Sequence, residues 1–140
     1  MNTVMLRLVI LLPVLLHVSY TDWRDHRIAN ADFFTLTGIG FAMSLWSGWD
    51  LSLKEAILAS LITLVVGFLF FLLGQGAGDA KLLTGIACLV GYKILSIYIL
   101  SIILMGIAAL MLLVARKINY KSPLPMAPAI TLATILCVLL

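Results

Sequence analysis

The sequence predicts an all-α integral membrane protein, built as one domain over residues 1–140, with about six transmembrane helices. Of its 140 residues, 64% are hydrophobic and only 11% are charged, whereas soluble domains have about 45–50% apolar and about 25% charged residues. The polar residues fall in short breaks between apolar stretches, several of which have the length of about 20 residues that a helix needs to cross a bilayer.

Six apolar segments follow one another along the chain, and each predicts one span. They cover residues 4–20, 32–48, 55–73, 80–92, 94–114 and 124–140. The third and fifth segments meet the required length easily, and the first and last are near its lower limit. Segment 80–92 is short, since about 1.5 Å per residue gives it only about 20 Å. It is therefore expected to start below the membrane surface or to be strongly tilted, and either arrangement buries its first residues.

The first segment has a second interpretation as a signal peptide, because Arg7 precedes an apolar run. The sequence His17-Val-Ser-Tyr20 that follows the run is not a small-residue cleavage site. A retained membrane helix is therefore favoured.

Basic residues set the predicted orientation. With six spans, the loops after spans 1, 3 and 5 share one side of the membrane. The basic residues divide between the two sides as Arg24, Arg27, Lys81, Arg116, Lys117 and Lys121 against Arg7, Lys54 and Lys93. The positive-inside rule places the richer side in the cytoplasm, so both termini are expected outside it. The net charge of +3 thus serves orientation in a lipid bilayer and does not imply a nucleic-acid partner.

Asp79 follows Gly76-Ala77-Gly78 and opens the short segment. One interpretation is structural, since glycines permit a tight turn and the helix dipole stabilises an aspartate at a helix N-terminus. The other is functional, because an acid at membrane depth is costly and is by default a functional candidate. Asp79 by itself leaves both interpretations open.

Asp22 lies in the first predicted cytoplasmic loop, and two spans separate it from Asp79, so the two acids are expected on the same face. Two aspartates held together do not both ionise easily. One protonated and one charged carboxyl would together activate water against a peptide carbonyl. We therefore expect a cleavage rate with a bell-shaped dependence on pH, and a rate that stays flat from acid to neutral pH would contradict the paired acids.

The other acids and the histidines have structural interpretations. Asp32 is expected to cap or flank the start of span 2, and Asp50 and Glu55 are expected to lie in a solvated loop. His17 is expected to be a buried or interfacial residue of span 1. The sequence contains no HExxH, GxSxG or CxxC motif, so no metal site and no cofactor are expected.

Three blocks of the sequence resemble the motifs of the type IV prepilin peptidase family. The first resembles the family's Asp-x-Arg-x-x-x-Ile-Pro-Asn motif, the second its GxGD motif, and the third the Pro-rich start of its last helix. In chain order the blocks are Asp22 with Arg24, Ile28 and Asn30; Gly76-Ala-Gly-Asp79; and Pro123 to Ile130. They stand in the family's order, and the membrane segments span nearly the whole chain.

The resemblance implies a GxGD-type aspartic endopeptidase that cleaves the leader of prepilins or pseudopilins at the cytoplasmic face of the inner membrane. It implies Asp22 and Asp79 as the catalytic pair. In the family the leader is short and basic, and the cut typically follows a glycine, just before the substrate's hydrophobic helix. Here Ala29 stands where the family usually has proline, and the two CxxC pairs of the longer members are missing. The chain is thus similar to the short CpaA/TadV-like branch of Flp/Tad pilus systems, without the zinc domain and its N-methyltransferase activity.

Several neighbours are expected to bind substrate or shape the site. Gly76 and Gly78 are expected to set the backbone around Asp79 and to leave room for an extended peptide. Lys81 is expected either to snorkel to the interface or to contribute to the site's electrostatics. Asn30 belongs to the first aspartate motif and is expected near the same site.

Asp25 competes with Asp22 for the role of the first acid, because the two lie one helical turn apart. Alignment to Ile28 and Asn30 favours Asp22. Asp25 is then expected to flank the site or to pair with Arg24, His26 or Arg27.

Two other functions stay open at the level of sequence. A small transporter or channel subunit would use Asp79 as a proton or cation site, would show ion-dependent flux and would not need Asp22. A structural subunit of a pilus or secretion assembly would use both acids only as helix caps. Substituting the acids would then change stability alone.

Overall fold

The computed structural model describes residues 3–46, 48–73, 75–115 and 124–140, and their regular structure is helical throughout. These ranges contain six α-helices, which are in chain order α1 Thr3–Asp25, α2 Asn30–Ser44, α3 Leu53–Leu72, α4 Ala77–Val90, α5 Ile94–Val114 and α6 Ala127–Leu139. A 3-10 turn, Gly91–Lys93, joins α4 to α5. The prediction of an all-α protein is confirmed. Four residues used in the sequence argument, Arg116, Lys117, Lys121 and Pro123, lie outside the described ranges.

Within the described ranges, three stretches are long and apolar enough to cross a membrane: Thr3–Asp25, Leu53–Leu72 and Ala77–Val114. Helix α2 has 15 residues and α6 has 13, fewer than the roughly 20 that span about 30 Å of hydrocarbon. The chain is therefore an all-α membrane protein, and six separate spans stay a prediction.

Helix α4 forms the centre of the bundle, with every residue from Leu82 to Val90 buried. Helices α2 and α3 pack most extensively against it. Small residues allow this close approach: a Cβ on Gly40 would lie 2.5 Å from the Cβ of Cys88, and one on Gly67 would lie 2.8 Å from the Cβ of Ala80. Helix α4, which corresponds to the short predicted segment 80–92, is therefore surrounded by other helices.

Helix α1 continues past residue 20, where the sequence predicted a loop, and ends only at Asp25. His26 then takes a positive φ of 49°, and its N–H donates to the Asp22 carbonyl oxygen at 3.0 Å, which closes the last turn. The placement of Asp22 in a loop was therefore wrong. The charged residues there extend the helix beyond the apolar run.

Contacts between loops define two ends of the bundle. At one end, the loop between α2 and α3 meets the turn after α4, where Leu51 lies against Gly91. At the other end, the loop between α1 and α2 lies against the start of α4, where the side chain of Ile28 contacts Gly78. Both predicted catalytic acids are at this second end.

Asp50 is exposed in the loop between α2 and α3, as the sequence predicted, whereas Glu55 lies in the first turn of α3, and both acids make specific contacts. Asp50 pairs with the buried guanidinium of Arg7 at 2.6 Å, and the same guanidinium stacks 5.1 Å from the ring centroid of Trp49. Glu55 forms a reciprocal capping box with Ser52 at the start of α3. Both acids thus fix the end of the bundle opposite to Asp22.

Replacing Asp50 by asparagine should lower thermal stability measurably, because it leaves a buried guanidinium without its anion. Since half of the Asp50 side chain is exposed, we expect a loss of about 1–2 kcal/mol rather than the larger cost of a fully buried pair. The matched control is Asp25→Asn, which breaks an exposed pair with Arg24 at 3.8 Å and should change stability by less than about 0.5 kcal/mol. Equal melting temperatures for the two variants in detergent would contradict the role of Asp50.

Asp32 flanks the start of α2, one of the two placements that the sequence predicted, and does not cap the helix. The N-cap residue is Ala29, and no side chain caps this helix. Asp32 instead lies in the first turn with its side chain largely buried, and its Oδ1 is 4.0 Å from Nε2 of His17. His17 belongs to α1, and its side chain is exposed on the surface of the bundle.

Candidate active site

Asp22 and Asp79 line one cavity of about 280 Å³ at the end of the bundle where α1 finishes and α4 begins. The walls come from the C-terminus of α1, the loop that follows it and the first turn of α4. The complete lining is Asp22, His26, Arg27, Ile28, Gly76, Ala77, Gly78, Asp79 and Lys81. The expectation that the two acids share one face of the protein agrees with this geometry.

Asp22 is 6% exposed and lies in the last turn of α1. Its Oδ2 accepts a hydrogen bond of 3.0 Å from the backbone N–H of Ala127, the first residue of α6. The carboxylate therefore caps a helix that is more than 100 positions away in sequence. A helix N-terminus carries partial positive charge and favours an anion, so α6 helps to hold the Asp22 carboxylate in place.

Asp79 is the third residue of α4 and is partly buried. The N-cap position is Gly76, which has no side chain, and no side-chain hydrogen bond caps the helix. Asp79 is therefore not the N-cap residue, but it lies in the first turn of α4, where the helix dipole favours an acid. Asp79 lines the same cavity as Asp22.

Gly76 and Gly78 have different neighbours. A Cβ on Gly76 would lie 3.0 Å from Oδ2 of Asp79, so the missing side chain leaves the carboxylate its position. A Cβ on Gly78 would lie 3.1 Å from the Cβ of Ile28. Gly78 thus lets the first loop close over the start of α4, and the space beside it is occupied by this chain's own Ile28.

Lys81 and Asn30 contact each other directly. The ammonium group of Lys81 donates a hydrogen bond of 3.0 Å to Oδ1 of Asn30. The bond joins α4 to the start of α2 and spans the loop that carries Ile28. Both residues were predicted near the site, and their hydrogen bond lies at the edge of the cavity, which Lys81 lines.

Asp25 does not line the cavity with Asp22 and Asp79. Its side chain is exposed and pairs with Arg24, and it borders a surface depression that shares Arg27 and Ile28 with the cavity. Of the two acids in the first motif, Asp22 is therefore the one placed beside Asp79.

The sequence argument did not assign site roles to His26, Arg27 and Ala77, all of which line the cavity. His26 is there because it ends α1, and its positive φ turns the chain over the carboxylates. Histidine is not a residue that usually signals a left-handed helix end, where glycine or asparagine is expected. The sequence signal that could have assigned His26 to the site was its position inside the first aspartate motif, between Arg24 and Ile28.

The cavity offers two carboxyl groups facing a space large enough for water and a segment of peptide backbone. This arrangement supports general acid and base catalysis by a pair of acids. Among the described residues, no group of three or more His, Cys, Asp or Glu side chains is placed to hold a metal ion.

Comparison with known proteins gave one match. The model of the type IV leader peptidase family matches residues 9–140. No curated protein and no solved structure matches the chain. The matched range contains both acids, the glycines between α3 and α4, and the contact between α1 and α6. With a match over nearly its whole length, the chain belongs to the type IV leader peptidase family.

Proposed function

We propose that this member of the family is a membrane-embedded aspartic endopeptidase of the GxGD type, with Asp22 and Asp79 as its catalytic pair. The observation that carries the proposal is the common cavity of these two acids, which reach it from separate helices. A merely structural pair of helix caps would not require a shared cavity, and no side-chain hydrogen bond caps α4.

The contacts of the two acids support a division of roles. Asp22 accepts an N–H hydrogen bond at the α6 N-terminus, a setting that favours the charged carboxylate. We assign it the role of the base that takes a proton from water. Asp79 lines the same cavity, where a second negative charge beside the Asp22 carboxylate is unfavourable, and it is assigned the role of the acid that donates a proton to the carbonyl oxygen or to the leaving amine.

The proposed substrates are prepilins or pseudopilins of the Flp/Tad type, cut between a short basic leader and an apolar helix. We further propose six membrane crossings, location in the inner membrane, both termini outside the cytoplasm, and a cavity that opens to the cytoplasm. The sequence assigns six basic residues to the breaks after spans 1, 3 and 5 and three to the other side, and this count supports the orientation.

A synthetic prepilin-like substrate tests the proposed function. It would contain a short basic leader, a glycine before the scissile bond and an apolar helix of about 20 residues. Purified protein in lipid vesicles should release the leader, and mass spectrometry should place the cut after the glycine. Intact substrate after long incubation, or cleavage at scattered positions, would contradict the proposal.

The hydrogen bond between Lys81 and Asn30 leads to a second prediction. Lys81→Met and Asn30→Ala should each lower kcat by about three- to tenfold, because the first loop is then held less firmly over Asp79. Since one hydrogen bond joins the two side chains, the double variant should lose no more than either single variant. Losses that multiply in the double variant would show that the two residues act separately.

A further inference from the structure

A shallow apolar groove leads away from the carboxylate cavity along α3 and α4. It has a volume of about 220 Å³ and is lined by Leu64, Phe68, Phe71, Ala77, Ala80 and Lys81. A cavity of about 150 Å³ admits a benzene molecule, so the groove has room for a large apolar side chain.

The packing of α3 on α4 forms the floor of this groove. A Cβ on Gly67 would lie 2.8 Å from the Cβ of Ala80, so these two small residues let the helices touch. On α3 the rings of Phe68 and Phe71 stand beside this contact with centroids 6.5 Å apart, and both rings are exposed. Exposed apolar residues alone say little in a membrane protein, because lipid tails are themselves apolar.

The groove is distinguished by its continuity with the cavity. Ala77 and Lys81 line both spaces. Ala77 is too small to form a wall between them, and the ammonium group of Lys81 is bound to Asn30. The cavity and the groove therefore border each other, and a chain that leaves the cavity has only the first turn of α4 to cross before it reaches the apolar groove.

A second apolar groove, of about 300 Å³, lies between α3, α5 and the start of α6. It shares no lining residue with the carboxylate cavity. Gln75 lies at its edge, where its side chain donates to Sδ of Met126 and accepts a hydrogen bond from the hydroxyl of Tyr98.

We propose that the α3–α4 groove binds the first apolar side chains of the substrate's membrane helix, immediately after the scissile bond. This inference rests on the proposed function, in which the substrate is cut beside a membrane helix. Such a substrate must present an extended backbone to the carboxylates and carry its next residues into lipid. The α3–α4 groove offers that path, and its aromatic lining fits apolar side chains.

Site-specific photocrosslinking tests the groove directly. The photoreactive residue p-benzoylphenylalanine would replace Phe68 or Phe71 in an Asp79→Asn background, with the prepilin-like substrate described above in lipid vesicles. Position 105, in the second groove, and position 103, exposed on α5, serve as matched controls. We expect crosslinks to the substrate helix from 68 and 71, at least about five times those from 103 and 105. Stronger crosslinking from 105, equal crosslinking from all positions, or none at all would overturn the inference.

Kinetics of the active protein separate this inference from the proposed function. Phe68→Ala should raise KM for the membrane substrate by about five- to tenfold, since it removes apolar contact area. It should leave KM unchanged for a soluble peptide that ends soon after the scissile bond, and Ile103→Ala should affect neither substrate. If the unmodified protein cleaves neither substrate, the proposed function fails. If it cleaves both while Phe68→Ala affects them equally, only the groove is refuted.

Discussion

Replacing either Asp22 or Asp79 by asparagine should reduce cleavage of a prepilin-like substrate by at least about 10³-fold, while the protein still folds and inserts into the membrane. General acid or base catalysis by a positioned side chain contributes about 10²–10⁴-fold, and the two acids are proposed to act as one unit. Combining both substitutions should therefore cost little more than one alone. Leader release, followed by mass spectrometry, is the measurement.

Asparagine is the informative replacement at position 22, because Asp22 also caps α6. The side-chain oxygen of asparagine can still accept the Ala127 N–H, whereas the ionisable group is lost. Alanine would remove the cap as well and should cost about 1 kcal/mol of stability in addition. An Asp22→Asn protein with normal stability and normal activity would show that Asp22 is only a structural cap.

Asp25→Asn decides between the two acids of the first motif. Asp25 lies outside the cavity and pairs with Arg24 on the surface, so its replacement should lower activity by less than about threefold, the scale of a weak surface charge effect. A loss as large as that of Asp79→Asn would transfer the catalytic role from Asp22 to Asp25.

Gly76→Ala should lower kcat by about 10- to 100-fold with little change in stability. The backbone at Gly76 has φ −64° and ψ 135°, a region open to alanine, so the substitution carries no backbone strain. The added Cβ would lie 3.0 Å from Oδ2 of Asp79 and should displace the carboxylate. Misplacement of a reacting group by about 1 Å can cost about 10²-fold in rate.

The control for Gly76→Ala is Gly106→Ala on α5, where no heavy atom lies within 4 Å of the added Cβ. This variant should keep full activity. If both variants are fully active, the close contact between Gly76 and Asp79 does not matter for catalysis. If Gly76→Ala instead unfolds the protein, the glycine serves folding rather than the position of the carboxylate.

The helices could be predicted from the sequence because long apolar stretches and their polar breaks are a strong local signal. The residues at which the helices end were harder to predict from the sequence. Helix α1 continues through Asp22 and Arg24 to Asp25 because hydrogen bonds and the turn at His26, not hydropathy, decide where it stops.

The pairing of Asp22 with Asp79 followed from counting spans and from the resemblance of their motifs. The contacts that hold the pair did not, because they join residues far apart in the chain. The N–H of Ala127 on Asp22, Ile28 over Gly78, and Asn30 on Lys81 all depend on how helices pack. For the same reason Asp50 looked like a solvated loop residue, although it neutralises Arg7.

A crosslink between positions 22 and 79 would measure directly whether Asp22 and Asp79 lie in one cavity. In a protein with Cys88 and Cys137 changed to serine, cysteines at positions 22 and 79 should be joined within one chain by a short bifunctional maleimide. Cysteines at positions 22 and 50, at opposite ends of the bundle, should not be joined. We expect an intramolecular link between positions 22 and 79 and none between positions 22 and 50. Full labelling of both cysteines without any link between 22 and 79 would contradict it.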